Sequence, residues 1–260
     1  MKKNSFSCKR DNLTIRGHVW GVPEHSRHAV ILSHGFLANE RMCWKYAKLL
    51  ADMGYLAVTF DFCSGGVICG SDGDSRDMTV LTEAADLKAV VAAVREQFQI
   101  SSLSLLGCSQ GGFVSAMVAA ELGKDTVSRL ILFYPAMCIP DDARKGKMMF
   151  YKFDPENIPE ILGNKPMKLG GSYARAVIGM DAYKEVSGYD GAVLLIHGSS
   201  DRVVNVSYSR RLKDLYKNCS YIEIENAGHG FKGKYDQQAC DALRSFMGSN
   251  EEGSGQAAGA

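Results

Sequence analysis

Short apolar runs alternate with helical periodicity along almost the whole chain. HAVILS, YLAVTF, LSLLG, RLILF and GAVLLI have no polar face. Between them lie RMCWKYAKLLADMG, LTEAADLKAVVAAVREQF and GFVSAMVAAEL, whose apolar residues recur at helical spacing. A strand that is apolar on both sides is stable only if both sides are covered. Strands of this kind with helices between them imply a mainly parallel sheet packed between helical layers. NLTIRGHVW, at residues 12–20, alternates like a half-exposed strand. The 260 residues suit one large domain. It is expected over residues 1–247, with the small, polar GSNEEGSGQAAGA as a flexible tail at 248–260.

The alternation breaks once. From Pro135 to about Gly179 the chain reads PAMCIPDD, then YKFDPENIPE, then KLGGSY. That is too long for an ordinary connection and predicts an inserted lid at about 136–180. Thirty basic residues against twenty-nine acidic ones leave no local excess for a nucleic-acid groove or a polybasic membrane patch. No window approaches the roughly 18 apolar residues of a membrane span, and no secretory signal follows MKKNSFSCKRDNL. The cysteines show no C-x-x-C pair and no histidine at zinc spacing. They read as reduced thiols of a cytoplasmic protein.

The stretch LLGCSQGGF carries the chemistry. Gly107 and Gly111 bracket Ser109 at G-x-S-x-G spacing, between a strand and a helix. Such a turn holds the serine in a sparsely populated conformation with its hydroxyl above the sheet. A serine hydroxyl needs a base, and the base needs a carboxylate to hold its tautomer. Two histidines lie downstream. His197 ends the apolar run VLLIH, where a buried, hydrogen-bonded histidine is the plain reading. His229 lies in the glycine-flanked loop NAGHGF after the strand YIEIE, where an imidazole can reach across the strand ends. For the acid, Asp201 follows VLLIHGSS. An aspartate there could simply cap the next helix, and Glu225 competes from the end of its own strand, but the H-G-x-x-D-x-V-V context favours Asp201. Two backbone donors must face the developing oxyanion. They are expected to be the N–H of Gln110 and the N–H of Phe36, in the H-G-F loop after HAVILS. Neither a metal nor an organic cofactor is signalled.

From residue 12 to 247 the chain resembles the α/β-hydrolase fold, and within it is similar to the bacterial cinnamoyl (feruloyl) esterases. The shared features are H-G-F, F-D-F before a glycine-rich stretch ending in S-D-G, M-T-V before a helix, and S-Q-G-G. They continue with D-P-x-x-I-P, L-G-G-x-Y, L-L-I-H-G and G-H-x-F. The resemblance implies a lid over an acyl pocket, with an aspartate and a tyrosine on the ring hydroxyls of a hydroxycinnamoyl group. By position these are Asp142 and Tyr173, whose plain readings are a solvated loop acid and a packing aromatic. The chain departs from the family pattern at Cys108, where a histidine is usual, in its glycine-rich loop, and at Met149, where a polar contact is expected. A bulkier or more aliphatic acyl group is compatible with these changes. The resemblance also implies a homodimer. The function expected is a serine carboxylesterase acting on a small-molecule ester. The rivals are a peptidase or amidase, a broad esterase or lipase, and a ligand-binding homologue without catalysis.

Overall fold

The structure, a computed structural model, describes residues 2–248. An eight-stranded sheet forms its centre. In chain order the first strands are β1 (Lys3–Arg10), β2 (Leu13–Trp20), β3 (His28–Ser33), β4 (Leu56–Phe60), β5 (Ser102–Cys108) and β6 (Arg129–Phe133). Two small hairpins follow, β7 (Lys147–Met148) with β8 (Tyr151–Lys152), and β9 (Ile161–Gly163) with β10 (Leu169–Gly170). The sheet is completed by β11 (Ala192–Gly198) and β12 (Cys219–Ile224). Its spatial order is β1-β2-β4-β3-β5-β6-β11-β12. From β4 to β12 every pairing is parallel, while β1 and β2 add an antiparallel edge.

The helices are α1 (Trp44–Asp52), α2 (Val80–Gln97), α3 (Gln110–Leu122), α4 (Ile139–Arg144), α5 (Gly171–Val177), α6 (Ala182–Val186), α7 (Ser207–Lys213) and α8 (Lys234–Gly248). They cover both faces of the sheet and divide its side chains into two cores. Leu105, Leu130 and Leu195 pack under α2 and α3, and Leu106, Ile131 and Ile196 under α1 and α8. All six are essentially inaccessible to water. Each such side chain contributes about 1.5–3 kcal/mol by leaving solvent, which is why these runs need no polar face. Among the described residues, no helix is long and apolar enough to cross a membrane. The tail expected from residue 248 lies, beyond Gly248, outside the described residues.

Two parts of the fold differ in detail from the sequence reading. Residues 3–10 form β1, registered residue by residue against β2, because Asp11 adopts positive φ and closes a tight hairpin. The segment between β6 and β11 is irregular only in periodicity. Its two hairpins and three short helices are each too brief to carry a repeat.

Candidate active site

Parallel strands bring their carboxyl ends to one rim, where the following loops can meet. In register, Cys108 at the end of β5 pairs with Phe133 of β6, and Gly198 at the end of β11 with Ile224 of β12. The loops carrying Gly35, Ser109, Asp201 and His229 therefore all open on the same edge.

Ser109 has φ 54° and ψ −120°, and the backbone around it is tied down on every side. Its N–H donates to Phe133 O (2.9 Å), and its carbonyl accepts from Gly112, Phe113 and Ala136. The two motif glycines are required by close approach. A Cβ on Gly107 would lie 2.2 Å from Gly111 O, and one on Gly111 would lie 2.3 Å from His34 O. Both contacts are with backbone, so neither can relax without moving α3 away from β3 and β5.

The structure brings Ser109, His229 and Asp201 together. His229 Nε2 is 3.0 Å from Ser109 Oγ, and its Nδ1 is 2.7 Å from Asp201 Oδ2. A carboxylate can only accept, so the proton sits on Nδ1 and the lone pair of Nε2 faces the serine hydroxyl. Asp201 does not cap the next helix, because α7 begins at Ser207 with Val206 at its N-cap; it closes the turn before that helix instead. Its Oδ1 accepts from the N–H groups of Val203 (2.8 Å) and Val204 (2.9 Å). Glu225 is exposed in the turn after β12.

Burial alone would raise the Asp201 carboxyl. Hydrogen bonds from His197 and His229, with the Val204 N–H, outweigh it and hold the group below the usual carboxylate range. Asp201 is therefore ionised and able to stabilise an imidazolium on His229.

Two partners of this group had no sequence signal for a role at the site. His197, read as a buried strand-end histidine, is one, with Nε2 3.1 Å from Asp201 Oδ2 and 3.0 Å from Val204 O. Both neighbours are acceptors, so Nε2 carries the proton, and Ser209 Oγ lies 2.6 Å from Nδ1. The second is Tyr134, which packs edge-on against the His229 ring at 4.7 Å. Its positive φ of 40° is invisible in an apolar FYP run.

Gly35 approaches the serine so closely that a Cβ would stand 3.1 Å from Ser109 Cβ. The Gly35 carbonyl accepts from His34 Nδ1 (2.8 Å) and Ala38 N–H (3.2 Å), while His34 Nε2 accepts from Phe62 N–H (3.1 Å). A trans peptide points its carbonyl and its N–H in opposite directions. Fixing the Gly35 carbonyl therefore fixes the Phe36 N–H on the opposite side. Burial lowers the His34 imidazole, keeping it neutral as this one-donor, one-acceptor pattern needs. Gln110 opens α3, and the first N–H of a helix has no intrahelical acceptor.

A narrow cavity runs from Ser109 beneath the segment between β6 and β11. Phe36, Ala136, Ile139, Met148, Val203 and Val204 give it an apolar wall, joined by Cys138, Asp142, Met149 and Tyr173. Asp142, on α4, is partly buried. Met149 sits at a hairpin tip with φ 53°. Tyr173 is only 1% exposed, and its hydroxyl donates to Gln110 Oε1. The segment is tied to α7 at its start and closed on itself from α4 to its end. Tyr208 of α7 donates to Asp141 Oδ2 (2.7 Å), and Arg144 reaches the carbonyls of Ile178 and Met180. An open cleft at the opposite edge of the sheet, lined by Arg27, His28 and Arg129, contains none of these residues.

This sheet order, with a strained serine at the β5–α3 turn, is the α/β-hydrolase fold. A family model described as serine aminopeptidase, S33 matches residues 24–173, more than half of the chain, and the chain belongs to that family. None of the curated proteins matches it. Among solved structures it is similar to Est1E from Butyrivibrio proteoclasticus with ferulic acid bound. The two are 28% identical over 94% of this chain and 98% of that one, with a TM-score of 0.86. DcsB in complex with a substrate analogue is 19% identical over 96% and 100% of the two chains, with a TM-score of 0.78. The monoacylglycerol lipase of Paleococcus ferrophilus is 19% identical over 96% and 99%, with a TM-score of 0.70. The last two share the fold alone. The chain is an α/β hydrolase that resembles the feruloyl esterases.

Proposed function

We propose that the protein is a cytoplasmic serine carboxylesterase acting on small aromatic, hydroxycinnamoyl-type or medium-length acyl esters. The observation that carries this reading is the imidazole of His229, bonded on one side to Ser109 Oγ and on the other to Asp201. Ser109 Oγ attacks the ester carbonyl while Nε2 of His229 takes its proton, and Asp201 stabilises the imidazolium so formed. The N–H groups of Phe36 and Gln110 hold the tetrahedral oxyanion. His229 then returns the proton to the leaving alkoxide. A water activated by the same imidazole releases the acid from the acyl-enzyme.

The acyl group occupies the cavity beside Ile139, Met148 and Val204, with residues of about 136–180 as its lid. Asp142, Met149 and the ring of Tyr173 line that cavity. Similarity to a protein bound to ferulic acid supports an aromatic acyl group, and the mostly apolar wall supports a medium aliphatic one.

The test is a panel of feruloyl, caffeoyl, acetyl, butyryl and long-chain esters scored by kcat/KM, with Ser109→Ala alongside. Turnover by the variant should fall by roughly 10⁶-fold, and full activity in it would end the proposal. The family description favours one second reading, an aminopeptidase or amidase. Matched ester and anilide substrates separate the two. Esterase action predicts a large preference for the ester.

A further inference from the structure

Tyr173 belongs to the lid segment and reaches toward the reaction centre. It lies on α5, its side chain is essentially buried, and its ring forms part of the acyl cavity. The phenolic hydrogen is not offered to that cavity. It is donated to Oε1 of Gln110, whose Nε2 in turn donates to Glu83 Oε2 at 2.7 Å. Gln110 and Glu83 are 2% and 1% exposed. The Gln110 amide is thus held at both ends, by Glu83 of α2 on one side and by Tyr173 of α5 on the other.

The ring of Tyr173 makes a second contact of the same kind. It meets the Phe36 ring edge-on, with centroids 5.8 Å apart and planes at 63°. One lid side chain therefore touches both residues whose N–H groups face the proposed oxyanion: Gln110 through its hydroxyl and Phe36 through its ring.

We propose that Tyr173 is a positioning residue for the oxyanion donors and not a contact for hydroxyls on the acyl group, which narrows the ester range proposed above toward acyl groups without ring hydroxyls. The proposal rests on the esterase reading above. Chemistry elsewhere in the wall agrees with it. Met149 offers a thioether, a weak acceptor without a proton, which leaves Asp142 as the one carboxylate lining the cavity. A phenolic acyl group entering there would lose water from its hydroxyl and regain at most one strong partner. An unsubstituted ring or an alkyl chain loses nothing. Burial, with Glu83 nearby, keeps the Tyr173 hydroxyl protonated, as a donor to an amide carbonyl must be.

Tyr173→Phe removes one oxygen and separates the two roles. It is tested on caffeoyl, cinnamoyl and butyryl esters of the same alcohol. The expected result is a loss of about five- to tenfold in kcat with all three acyl groups, KM being nearly unchanged. A loss confined to the caffeoyl ester and appearing in KM would overturn the proposal.

Glu83→Leu, which frees the other end of the amide, should give the same loss whatever the acyl group. Glu83→Gln keeps an acceptor and should lose less. The Tyr173→Phe/Glu83→Leu double variant should fall little below either single variant, because both act through one side chain. Fully multiplying losses would count against the chain of contacts. Ser109→Ala on the same panel loses turnover whichever way Tyr173 acts, so the esterase reading and this inference fail separately.

Discussion

The rim of the sheet and the segment between β6 and β11, proposed above as a lid, solve the problem of placing a side chain in different ways. At the rim, Ser109, Asp201 and His229 all lie in loops after strand ends, and backbone groups hold the first two. The Ser109 carbonyl accepts three N–H groups, and Asp201 Oδ1 accepts two. In the segment between β6 and β11, Asp142, Met149 and Tyr173 come from three separate short elements; Tyr173 is held by packing and one side-chain hydrogen bond, while Met149 is exposed. Backbone anchoring needs particular residue types at set spacing, whereas packing needs only shape and a satisfied polar group. The rim thus leaves little freedom, and Asp142 and Met149 can vary without disturbing it, whereas Tyr173, bonded to Gln110, couples the two regions.

The sharpest way to break this contrast is at the rim. Asp201→Asn keeps the side-chain shape but removes the charge that selects the His229 tautomer. It should lower kcat by about 10⁴-fold, measured on any ester the wild type accepts. A loss that varied strongly with the acyl group would show that Asp201 also acts on the acyl cavity.

In the lid, Met149→Gln places an amide where a thioether stands. It should raise the caffeoyl-to-cinnamoyl ratio of kcat/KM by up to about tenfold, the worth of one added hydrogen bond. The butyryl rate should hardly move, and a ratio that stays put would mean that this hairpin tip does not read the acyl ring.

The smallest effect concerns stability at the junction of the two regions. Burial raises the Glu83 carboxyl well above the ordinary range, the Gln110 hydrogen bond opposes this, and Asp86 adds to it. The folded protein thus keeps a proton that the unfolded chain releases near about pH 4.3. Glu83 contributes its full stability below that pH and loses it as pH rises toward the folded value. Glu83→Gln does not titrate. Its melting temperature relative to wild type should therefore climb as pH rises above about 4, by roughly 2–4 °C for each kcal/mol involved. A flat difference across that range would mean that Glu83 is ionised in the fold.

Most of the fold could be read from sequence because the central strands are apolar on both faces and the helices between them are long. The elements over 28–33, 56–60, 102–108, 129–133 and 192–198 lie where their apolar runs predict. β1 escaped notice because KNSFSCKR buries only Phe6 and otherwise faces solvent or partly so. The small hairpins between β6 and β11 escaped because two- and three-residue strands have no period. At the site, Ser109, Asp201 and His229 were each legible from the strand or turn beside them. His197 and Tyr134 were not, since a buried histidine and a tyrosine after a strand look the same whether or not they touch an active group. Tyr173 was found by family resemblance, but the direction of its hydroxyl was not.

The sequence by itself determined which segments are strands, which turn carries the serine, and that the three polar groups would follow strands running the same way. These are local properties, set by side-chain hydrophobicity and by the few residues a tight turn admits. Only the tertiary structure decided that Asp201 serves two imidazoles and two backbone N–H groups at once, and that the Tyr173 hydroxyl turns inward to Gln110. Those outcomes depend on how buried donors and acceptors from distant segments pair off once water is excluded, and no short stretch of the chain encodes that.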